Sequence, residues 1–167
     1  INLLQQHTQD GGTLILIPDT SINPSVYNKL LNTFGLSGFK NLETTPQRIT
    51  TINFDHPLYK NVFTGRSTNL QTHQVEGYFP LETSDAILSL ENKRPFLAES
   101  NKLFVFTSSL SLENSNFING QLIVPTFDKI ALEALQLPQT QYTINSKNTF
   151  EVSTSLPQDA VLTLEKN

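Results

Sequence analysis

Apolar and polar positions alternate along this chain in short blocks whose periods differ from one another. The opening INLLQQHTQDGG reads as the back end of a helix, with Ile1, Leu3 and Leu4 on an apolar side and Gly11 and Gly12 as the stop. TLILIP (13–18) is then a continuous apolar run that ends at a proline, the pattern of a central strand buried on both faces of a parallel sheet. Such a strand needs a helix on each side, and the next block supplies one. Asn23 is placed to cap it and Pro24 suits the first turn, while Val26, Tyr27, Leu30, Leu31 and Phe34 repeat at helical spacing until Gly35.

From 36 to 80 the blocks are shorter and more polar. RITTINF (48–54) predicts a strand, with Ile49, Ile52 and Phe54 toward a core, and DHPLYKNVF (55–63) a turn and a short helical piece. AILSL (86–90), PFLAES (95–100) and KLFVFTS (102–108) are apolar runs separated by turn-forming residues, a meander at one end of the sheet. LIVPTFDKIALEAL (122–135) predicts a second helix, with Ile123, Phe127, Ile130, Leu132 and Leu135 on a wide apolar face. The grammar changes near LQLPQTQ (135–141). Beyond it YTIN, TFEVST and AVLTLE alternate with period two, so the chain divides into an α/β domain at 1–138 and a β-rich extension, or the start of a β domain, at 139–167.

Composition narrows the chemistry. With 167 residues the chain has the length of one domain with a real core. Having 0 Cys, it has no disulfide, no thiolate nucleophile and no Cys-ligated metal. It also has 0 Met, from which an internal piece of a longer protein is expected, with a strand before Ile1. The net charge of −4 is spread without runs, leaving no footprint for nucleic acid, and no stretch reaches the ~18 apolar residues of a membrane span. Any membrane attachment is therefore expected through segments outside the chain.

The strings QDGGTLILIP, YNKLLNTFGL, INFDHPLYKNVF, ENKRPFLAE, LFVFTSSLSLENSNF and LIVPTFDKIAL, in this order and spacing, resemble one family. It is the glutamine-amidotransferase-like, flavodoxin-type domain of bacterial membrane proteins with an aerotolerance (Bat-type) N-terminal double-transmembrane region. The resemblance covers residues 1–137 and none of its strings is catalytic. It implies a three-layer α/β domain, a parallel-dominated sheet with helices on both faces, incomplete at the N-terminus and lying on the periplasmic face of the inner membrane. One departure is that Asn101 and Lys102 stand where related domains carry a Gly-Lys-Gly turn.

Weighed against ordinary structural roles, the candidate chemistry is thin. An amidotransferase needs a Cys thiolate, which is absent, and no Gly-x-Ser-x-Gly elbow or phosphate loop occurs. Ser108, Ser109 and Ser111 follow an apolar run and could stand at the carboxyl edge of the sheet, where open α/β folds place their sites. A nucleophile there would need His56 or His73 within about 3 Å, since His7 belongs at the opposite edge. A metal shared by His56, His73 and Asp55 or Glu76 has no support from spacing. Tyr59, Phe63, Tyr78 and Phe79 fall in irregular segments and form a candidate binding surface for a protein or a glycan. The reading is a non-catalytic extracytoplasmic interaction or structural module of a membrane-anchored bacterial envelope protein, with no cofactor and no metal. Its expected partner is another protein or a neighbouring domain of its own chain, not nucleic acid. The competing readings are a degenerate hydrolase-like enzyme and a carbohydrate-binding domain.

Overall fold

The computed structural model describes residues 1–60, 62 and 73–135; Phe63 and the extension from 139 lie outside the described residues. The chain divides into two compact units, Ile1–Leu137 and Pro138–Asn167, and the first carries every element described here. In chain order these are α1 (Asn2–Gln9), β1 (Leu14–Leu16), α2 (Ser25–Thr33), β2 (Gln47–Ile52), β3 (His73–Val75), β4 (Ala86–Leu90), β5 (Pro95–Ser100), β6 (Leu103–Phe106), a 3-10 turn (Phe117–Asn119) and α3 (Ile123–Ala134).

The six strands form one sheet in the order β1-β6-β5-β4-β2-β3. Only β1 and β6 run parallel, with Leu14 opposite Leu103 and Leu16 opposite Val105; the other four pairings are antiparallel. This corrects the expected parallel-dominated, flavodoxin-like sheet. It also corrects the place of 13–18, which is not central: β1 is an edge strand. A continuous apolar run suits burial on both faces, but it fixes neither the direction of the strand nor its place in the sheet. The meander β4-β5-β6 occupies the middle of the sheet instead of one end, and β6 is buried along its whole length although its partner β5 is antiparallel. In β1 the alternation is one-sided: Leu14 and Leu16 are half-buried, whereas Ile15 is 40 % and Ile17 42 % exposed.

Successive residues of β6 point to opposite faces and so belong to different cores. Leu103 and Val105 join Leu31, Phe34, Leu36, Phe39, Phe79, Leu81 and Ala98, with Leu14, Leu16, Tyr27 and Leu30 packed against them, so α2 covers this face. Phe104 and Phe106 join Phe96, Leu97, Phe117, Leu122 and Ile130, with Phe127 of α3 stacked on Phe106 at 5.8 Å between ring centroids. Of the apolar face expected on α3, Ile130 is buried and Ile123 and Phe127 pack partly buried against the core, whereas Leu132 and Leu135 are exposed and Thr126 is buried in their stead. The β5–β6 turn holds Asn101 and Lys102 at φ of 50° and 64°, left-handed values that Asn tolerates better than Lys. Among the described residues no helix is long and apolar enough to cross a membrane.

Candidate functional site

The end of the sheet reached by the carboxyl termini of β1 and β6 is its upper end. Ser108 follows β6 there and is fully buried. Its hydroxyl donates to the Gly77 carbonyl at 2.7 Å and accepts from Asn114 Nδ2 at 2.5 Å. The Asn114 amide also donates to Gly77 O at 3.0 Å, and the hydroxyls of Ser109 and Ser111 lie 3.2 Å apart. These groups tie a loop to the strand edge, and the hydrogen bonds of the three serines bring in no histidine among the described residues.

The histidines go elsewhere. His7 ends α1 with its ring over Gly12. His56 Nδ1 accepts from the Leu58 amide at 3.2 Å, so its proton sits on Nε2, which faces Glu99 Oε2 at 3.2 Å. Both nitrogens are thus engaged at the lower end of the sheet. Glu133 joins this cluster, its carboxyl raised above the usual range by burial and by the Glu99 charge. His73 is buried in β3, edge-on to Phe117 at 5.6 Å between ring centroids, and burial lowers its pKa. The structure therefore gives His56 and His73 different neighbours. Among the described residues no group of three His, Asp or Glu could hold a metal ion.

Three of the four candidate surface aromatics are core residues: Tyr59 is 1 % exposed, and Tyr78 and Phe79 are 0 %. Irregular backbone around them reads as loop in sequence, but here it covers the core, and their rings are what it covers with. Phe79 stacks on Phe39 at 5.3 Å between centroids. The Tyr59 hydroxyl lies 2.5 Å from Thr126 Oγ1, which itself donates to Leu122 O, so Tyr59 donates and its pKa is pushed up to about 12 by burial. Tyr78 donates to the Glu43 carboxylate and accepts from Asn92 Nδ2 at 2.6 Å; burial, then the Glu43 bond, raises its pKa. Beside it Glu82 binds both Lys40 and Arg94, which hold its carboxyl below the usual range. The polar groups of these networks are engaged with one another and with the backbone.

Among the described residues, the outer edge of β1 is left without a partner. Leu14 N donates toward β6, to Lys102 O at 2.9 Å, so the N–H and C=O groups of Leu14 and Leu16 face inward and those of Ile15 face out. The exposure alternates on through Ile17, and Pro18 is buried, so the missing proline N–H falls on the inward parity. The opposite edge of the sheet is closed. Outside β3, Gln74 N donates to Asn116 Oδ1 at 2.8 Å, Asn116 N returns to Gln74 O at 3.3 Å, and Glu76 N donates to Asn114 O at 2.8 Å. Exposed sheet edges are ordinarily blunted by a charge, a bulge, a proline or a covering loop. The outward positions of β1 are Ile15 and Ile17, and among the described residues no strand or loop pairs with them. In the sequence the signal was the absence of any charged residue in 13–18, which reads equally as a buried strand and as an unprotected edge.

No protein-family model, no curated protein and no solved structure matches the chain.

Proposed function

We propose that this chain is a non-catalytic interaction module that takes an extended segment of a partner polypeptide, another protein or another part of its own, onto the outer edge of β1. The observation that carries this reading is the contrast between the two edges of one sheet: β3 is capped by three hydrogen bonds from the 114–116 loop, whereas β1 offers Ile15 and Ile17 with apolar side chains and outward backbone groups that no strand or loop among the described residues pairs. Strand addition draws affinity from main-chain bonds and specificity from alternate side chains, both of which this edge supplies. The engagement of Ser108, Ser109 and Ser111 in loop bonds without a histidine supports a binding role over hydrolysis. The burial of Tyr59, Tyr78 and Phe79 speaks against a stacking platform for sugars.

A synthetic peptide of residues 13–17 with lysines added at both ends is a suitable probe, followed by amide NMR of the protein. Strand addition shifts the Ile15 and Ile17 amides and slows their exchange while Gln74 and Glu76 stay unchanged. Perturbation confined to the Ser108–Asn114 loop, or none at any amide, contradicts the reading.

A further inference from the structure

We infer that the segment this edge accepts is β1 of a second copy of the same chain, paired antiparallel about a two-fold axis through Leu16. The inference rests on the strand-accepting role proposed above and adds the identity of the partner. A strand added beside β1 must be apolar toward both faces, because Leu14 and Leu16 border the core under α2 and Ile15 and Ile17 stand on the opposite face. The run Leu14-Ile15-Leu16-Ile17 meets that requirement itself, so the edge is both donor and acceptor. An isologous contact needs such self-complementarity.

Hydrogen-bond parity admits this register. With Leu16 on the axis, Ile15 of each copy lies opposite Ile17 of the other, and both carry outward N–H and C=O groups, so each of the two pairs exchanges two bonds. The four isoleucines then form one apolar cluster on the α3 side. Shifting the register by one residue sets inward-facing groups against outward-facing ones and loses the ladder. Charge agrees with the antiparallel sense. Asp19 marks the upper end of β1, its carboxyl held below the usual range by the Ser21 hydroxyl and amide, and Lys102 marks the lower end with Nζ on the Gly11 carbonyl at 3.1 Å. Antiparallel pairing about Leu16 sets Asp19 opposite Thr13 of the second copy, at the level of that copy's Lys102. Opposite charges then stand at the same end of the joined sheet, two strand spacings apart, whereas a parallel pair would put like ends together.

The test is sedimentation of the full chain together with site-specific cross-linking, which the absence of native cysteine makes clean. The chain should sediment at twice 18.7 kDa at high micromolar concentration and at 18.7 kDa on dilution. Ile15→Lys and Ile17→Lys alter exposed side chains and should keep the circular dichroism spectrum while raising the dimer dissociation constant by roughly 10-fold or more, since a lysine on an edge strand blocks pairing. A mixture of Ile15→Cys and Ile17→Cys chains should oxidise to the mixed dimer in preference to either variant alone, because hydrogen-bonded partners sit about 5.5 Å apart at Cα, within disulfide range. A single 18.7 kDa species at every concentration, or a dimer unaffected by both lysines, overturns the proposal. In the first case a peptide that still protects Ile15 and Ile17 leaves the strand-accepting role standing, and a peptide that does not removes both.

Discussion

Gly120 closes the slot that holds His73, and adding one methyl group there tests how tightly the lower part of β3 is packed. A Cβ built on Gly120 would lie 1.7 Å from His73 Cε1 and 2.5 Å from both ring nitrogens. Gly120 itself has φ −94° and ψ 170°, an extended conformation open to any residue, so Gly120→Ala introduces no backbone strain and its effect is the collision alone. The ring cannot simply turn aside, since its other side meets Phe117 edge-on and the residue is 3 % exposed. Overpacking of a filled site typically costs about 1–3 kcal/mol, and here the displaced group is a whole ring, so about 2–3 kcal/mol is expected. His73→Ala should cost about 2 kcal/mol, combining the cavity it leaves with the lost edge-to-face contact of about 0.5–1.5 kcal/mol. In the double variant the methyl group has room, so the two effects should sum to about 1–2 kcal/mol less than the separate losses. Urea unfolding of the four proteins measures all the terms. A Gly120→Ala loss under about 0.5 kcal/mol, or strict additivity in the double variant, would refute the packing described for this slot.

Burial of neutral His73 makes stability fall with acid. Its native pKa lies below the unfolded value of 6.5, so above that value neither state is charged; as pH falls through it, the unfolded chain takes up a proton that the native ring refuses. The urea midpoint should therefore drop between pH 7.5 and 5.5, and drop less in His73→Gln; equal slopes for the two proteins would discount the effect. Ser108→Ala removes one donor from Gly77 O and one acceptor from Asn114, but the Asn114 amide still reaches Gly77 O at 3.0 Å. A loss of about 1–2 kcal/mol in thermal or urea unfolding is expected, and a much larger loss would point to a role beyond pinning the loop. Leu31→Ala, which empties a fully buried site under α2, should cost about 2–5 kcal/mol by the same assay; a loss below about 1 kcal/mol would mean that α2 does not seal that core.

Most elements were legible in the sequence, because each has a period of its own. Val26, Tyr27, Leu30 and Leu31 mark α2 well, and the three apolar runs between 86 and 108 become β4, β5 and β6. Their directions were not legible. Leu103–Phe106 is buried on both sides because it is central, and no residue in it records whether the neighbouring strand runs up or down. The run at 13–18 looks the same as β6 in composition, yet it stands at the edge, since side chains report how well a strand is packed only once its neighbours are known. The aromatics failed for a related reason. Tyr78 and Phe79 sit in irregular backbone that has no period, but one short antiparallel bridge, Glu43 with Tyr78, holds that segment over the core. The β3 edge could not be read at all from sequence, for its cap comes from Asn114 and Asn116, some forty residues further along the chain.

The asymmetry of the two edges is the central claim, and amide hydrogen exchange of the dilute protein measures it directly. Gln74 and Glu76, whose outward amides are bonded to Asn116 Oδ1 and Asn114 O, should exchange slowly, while Ile15 and Ile17 should exchange close to the rate of unstructured peptide and slow down as protein concentration rises. Protection of Ile15 and Ile17 at the lowest concentration, equal to that of Gln74 and Glu76, would show that the β1 edge is already covered and would contradict the account.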